Sequence, residues 1–74
     1  MSIAELKSVA VAVAREMVSG NMTPELRARF IAIRAELFQR GIFDPVLVRF
    51  DTATVTQITP QEAAVELMKV AEGL

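Results

Sequence analysis

The stretch Thr23–Gly41, TPELRARFIAIRAELFQRG, sets the terms for the rest of the chain. Thr23 offers a hydroxyl to the free backbone N–H groups of a helix start, and Pro24 suits the first helical position, where its missing N–H costs nothing. Gly41 stands where a left-handed residue stops a helix. At about 100° per residue, Leu26, Phe30, Ile33 and Leu37 fall on one apolar stripe. Ile31 and Phe38 form a second stripe, roughly 100° from the first. Only Glu25, Arg29, Ala32, Glu36, Gln39 and Arg40 make a wet face. Such a helix needs cover on two sides.

The resources for providing that cover are limited. Seventy-four residues make one small domain, spanning 1–74. A chain this short buries only about 60–65% of its unfolded surface, so small domains commonly add disulfides or a metal. Neither cysteine nor histidine is present, which excludes disulfides and ordinary zinc ligation. Helix packing and self-association remain. The hydrophobic fraction of 53% and mean hydropathy of +0.40 are high for so little interior, and they favour a chain that associates with itself or with a partner.

Ser2–Val18 has helical spacing. Ile3, Leu6, Ala10, Val13 and Met17 line one face, and Val9, Val11, Ala14 and Val18 widen it. The VAVAVA run alternates as a strand does, but the helical pattern continues on both sides of it. Ser2 and Glu5 have capping-box spacing, and Gly20-Asn21 marks a turn. The short link to Pro24–Arg40 predicts an antiparallel helical hairpin. Glu25–Arg29 and Glu36–Arg40 have the spacing of intrahelical ion pairs.

Asp44-Pro45 is a second start signal, predicting a short helix over Pro45–Asp51 with Leu47 and Phe50 buried and Arg49 exposed. The alternative is an α+β chain with a small β-hairpin at 46–58, pairing Val46–Phe50 with Thr54–Ile58. Asp51–Ala53 has no glycine or asparagine for the tight turn this requires. Thr52–Ile58 then reads as an extended connection pinned by Val55 and Ile58. Thr59-Pro60-Gln61-Glu62 opens a last helix to about Glu72, with Ala63, Ala64, Leu67, Val70 and Ala71 inward and Gly73 ending it. The predicted fold is all-α: a three- to four-helix bundle with an N-terminal antiparallel hairpin.

Catalytic chemistry has few candidates here. Histidine, cysteine and tyrosine are absent, and Ser2, Ser8 and Ser19 have no nucleophile-elbow setting. The three glycines are isolated near helix ends, so no phosphate-cradling loop is present. Carboxylate pairs, Glu62 with Glu66 or Asp44 with Asp51, are explained by a solvated face and by turn roles. No Asp-Ser pair exists to carry the prosthetic arm of an acyl carrier protein. The sequence predicts no enzyme, cofactor or metal ion.

A net charge of −1 argues against affinity built on phosphate neutralisation. In the second helix, Arg29 and Arg40 share a face with glutamates, while Arg27 and Arg34 lie between the apolar stripes. All four phenylalanines fit core positions, leaving none for stacking on bases. No run reaches the roughly 20 apolar residues of a membrane span, and MSIAELK lacks a basic leader. A cytoplasmic bacterial protein is expected. The leading expectation of function is a non-enzymatic interaction module or small accessory subunit that self-associates. Its interface would run along Ala28, Ile31, Ala35 and Phe38, where small residues let another helix approach. The competing expectation is an antitoxin-like regulator touching DNA, with its basic surface assembled by dimerisation.

Overall fold

The computed structural model describes residues 1–50 and 58–74. Four helices, α1 (Ile3–Met17), α2 (Pro24–Gln39), α3 (Pro45–Arg49) and α4 (Pro60–Glu72), account for all the regular structure among them. The chain is an all-α bundle. Val46–Phe50 is not a strand, so the hairpin alternative fails at its first half. Its second half, Thr54–Ile58, and the connection predicted over Thr52–Ile58 lie outside the described residues except for Ile58, which packs against the core.

Each helix begins on the residue its sequence marks. Ser2 Oγ accepts from the Glu5 N–H at 3.1 Å, Thr23 Oγ1 from Leu26 at 3.1 Å, and Thr59 Oγ1 from Glu62 at 3.1 Å. Asp44 Oδ1 accepts from both Val46 (2.9 Å) and Leu47 (3.2 Å). Gly20 (φ +87°) and Gly41 (φ +79°) adopt the left-handed conformation that ends α1 and α2. The Ile42 N–H then reaches back to the Leu37 carbonyl at 3.0 Å, completing the stop.

α1 packs most extensively on α4, α2 lies on α1, and α3 lies on α4. The core comprises Leu6, Ala10, Val13, Ala14 and Met17 of α1 with Ala63, Ala64, Leu67 and Ala71 of α4, and the main α2 stripe covers it. Ile3 and Val18, predicted on the buried face of α1, are instead 51% and 52% exposed. Ile3 is the first residue of α1 and Val18 follows its last, so both lie at the helix ends. Short α3 buries Leu47, with Phe50 behind it and Arg49 exposed, as predicted, although the helix stops at Arg49 rather than Asp51.

α2 and α3 are joined through side chains. Phe30 and Phe50 meet edge to face, with centroids 5.3 Å apart and planes at 87°. Arg34 lies 5.3 Å over the Phe30 ring and donates Nη1 to the carbonyls of Leu47 (3.1 Å) and Phe50 (2.7 Å). The arginine thereby satisfies carbonyls that the end of α3 leaves without helical partners.

Two substitutions test this account. Thr59→Ala should cost about 1 kcal/mol in denaturant unfolding, the usual loss for a cap. Arg34→Met keeps the apolar stem but removes both carbonyl contacts, and should cost on the order of 2 kcal/mol by the same measurement.

Candidate protein interface

The second stripe of α2 faces outward. Ala28 and Ala35 are exposed, Ile31 is 46% exposed, and Phe38 is half-buried. Spacings of three and four residues make these neighbours on one helical surface. Phe43 extends the surface: its ring lies 5.3 Å from that of Phe38 at an interplanar angle of 34°, and it remains 63% exposed. The expectation that all four phenylalanines are core residues therefore holds for Phe30 and Phe50 and fails for Phe43. Gly41 turns the chain back along α2, which brings Phe43 over Phe38 but leaves its outer side uncovered. A hydrophobic residue just after a left-handed helix stop was the available signal. Of Phe43, Val46 and Leu47, the residues by which the chain could cover its own stripe, Phe43 does pack on Phe38, while Val46 is half-buried beside α4 and Leu47 is buried in the core.

The remaining exposed aliphatics on α1, α3 and α4 (Ile3, Val18, Val48, Val65) are separate from this surface, and isolated exposed hydrophobics are ordinary. Val65 and Val46 border a shallow depression between α3 and α4, rimmed by Glu62 and Glu66. A polar cleft between α1 and α2 is lined by Arg15 and Glu16 of α1 and Glu25 and Arg29 of α2.

The arginines of α2 are largely engaged within the chain. Arg29 does not turn along its own helix to Glu25 but crosses to Glu16 of α1, with Nη1 2.6 Å from the carboxylate. Glu36 and Arg40 form the predicted pair at 3.5 Å, and Arg40 also donates to the Met1 carbonyl. Arg34 is turned to α3, as described above. Arg27 keeps a buried Nε with no hydrogen-bond partner.

The structure brings together a carboxyl pair that spans two helices. Asp44, at the start of α3, lies beside Glu66 of α4; Asp51 lies outside the described residues. A hydrogen bond with the Asp44 side chain raises the Glu66 pKa above the ordinary carboxylate range. Partial burial and the Asp44 charge push the same way, and Lys69 opposes them. Sequence spacing could not pair residues so far apart in the chain. Among the described residues no group of three or more potential metal ligands comes together. None of their helices is long and apolar enough to cross a membrane. No protein-family model, curated protein or solved structure matches this chain.

The Asp44–Glu66 contact carries a pH signature. A raised carboxyl pKa means that the folded state holds its proton more tightly than the unfolded state does. The stabilising contribution is present below the unfolded pKa and is lost as pH rises through the folded one. Glu66→Gln should therefore raise the melting temperature slightly near about pH 7, and the advantage should vanish below about pH 4. Thermal melts of both proteins across that range check it.

Proposed function

We propose that this chain is a non-enzymatic interaction module that self-associates through the outward face of α2. The observation that carries the reading is the continuous apolar surface of Ala28, Ile31, Ala35 and Phe38, extended by Phe43, which no other part of the described chain covers. Composition supports it from another side, because histidine, cysteine and tyrosine are missing from the whole sequence and its serines have no nucleophile-elbow setting. A DNA-touching regulator draws less support, since Arg29, Arg34 and Arg40 are already held by partners within the chain.

The test is solution mass. Sedimentation at tens of micromolar should give twice the chain mass for the parent. Phe38→Arg and Ile31→Glu should give folded monomers, because a charge placed in the contact cannot be buried unpaired. Ile31 is the safer position, being the more exposed of the two, and circular dichroism verifies that each variant keeps its helices. A parent that sediments as a monomer overturns the reading.

A further inference from the structure

The order of side chains along α2 indicates how two copies would meet. Along the exposed stripe, residue size alternates: Ala28 small, Ile31 large, Ala35 small, Phe38 large. Ala28 and Phe38 are equidistant from Ile33 along the helix, and so are Ile31 and Ala35. A two-fold axis crossing α2 at the level of Ile33 reverses the helix and sets equidistant residues face to face. Ala28 then meets Phe38 of the second copy, and Ile31 meets Ala35. Along α2 itself each large side chain finds a small one opposite, with Phe43 flanking the Phe38 end, so the two helices keep an even separation. A parallel pair would set Phe38 against Phe38 and Ala28 against Ala28, crowding one end and leaving a gap at the other.

Charge follows the same symmetry. Along the wet edge of α2 the order is Glu25, Arg29, Glu36, Arg40. Reversal about the same level brings Glu25 beside Arg40 and Arg29 beside Glu36, so unlike charges lie level at the rim, with Arg29 held on Glu16 and Arg40 on Glu36 within each copy. Such rim charges guide encounter more than they add affinity. On the other edge, Arg34 is turned away to the α3 carbonyls and confronts no counterpart.

The area is adequate for a modest dimer. Ile31, Phe38 and Phe43 with the two alanines expose on the order of 300 Å² of apolar surface. Interfaces are a little over half apolar, so this corresponds to about 500 Å² per partner, near the lower bound for a specific contact.

We infer that the occupant of this face is a second copy of the chain, packed antiparallel about a two-fold axis at Ile33, with Ala28 against Phe38 and Ile31 against Ala35. This rests on the self-association proposed above. The chain has no cysteine, so introduced thiols report without background. Both test positions, Ile31 and Ala35, are exposed, which leaves the core intact. Ile31→Cys and Ala35→Cys are mixed as reduced proteins, oxidised mildly, and the products identified by mass. The antiparallel arrangement predicts that the mixed disulfide exceeds either homodimer several-fold, and that Ala35→Cys alone cross-links poorly. Efficient cross-linking of Ala35→Cys with itself would overturn this inference in favour of a parallel pair. So would a parent of dimeric mass whose variants form no disulfide, since another face would then be in use. The first outcome leaves self-association through α2 standing, the second removes α2 as the contact as well, and a monomeric parent removes self-association altogether.

Discussion

Close packing of α1 on α4 is the contact on which the rest of the bundle depends. The first and last helices are brought together across the whole length of the chain, and both contribute fully buried alanines. Alanine at Ala10, Ala14, Ala63, Ala64 and Ala71 lets two backbones approach closely, while Leu6, Val13, Met17 and Leu67 fill the remaining volume. The other helices are attached to this pair, α2 to α1 and α3 to α4. Phe30, Phe50 and Arg34 then join α2 to α3 and close the circuit. In a chain without disulfides or histidine ligands, tertiary cohesion comes from side-chain packing and a few hydrogen bonds to arginine.

The features legible in the sequence share a short range. A cap joins residues two or three apart, and a helical stripe repeats every three or four, so Ser2, Thr23, Asp44 and Thr59 could be read without knowing what surrounds them. The two-sided character of α2 was legible for the same reason, and with it the exposed Ala28, Ile31, Ala35 and Phe38. Features that depend on partners remote in sequence were hidden. The wheel placed Arg34 over the edge of the core but could not supply the Leu47 and Phe50 carbonyls. It placed Arg29 beside Glu25, although Glu16 of α1 offers a carboxylate that crosses between helices. Ile3 and Val18 have apolar spacing, yet both lie at the ends of α1, where spacing alone does not decide exposure.

Two polar details mark places where packing took precedence over electrostatic comfort. Arg27 keeps a buried Nε without an acceptor, and Asp44 stands against Glu66 while using one oxygen to cap α3. Both follow from the need to bring apolar surfaces together first. Arg27 borders the core stripe of a helix wetted on one edge only, and Asp44 must sit where α3 begins. A small domain tolerates such local costs because each is modest beside the burial that accompanies it.

The Arg34 contact has a consequence for the order in which the molecule assembles. Caps and helical turns form between near neighbours, on the fast timescale of local structure, and helical bundles of low contact order fold quickly. The guanidinium reaches carbonyls 13 and 16 residues away, and those carbonyls are in place only after α3 has formed. Formed after the barrier is crossed, this contact would act on the late, downhill side of folding. Interactions of that kind leave the refolding rate nearly untouched and act mainly on the rate of unfolding. With the contact formed that late, loss of Arg34 would shorten the life of a folded molecule without delaying its appearance.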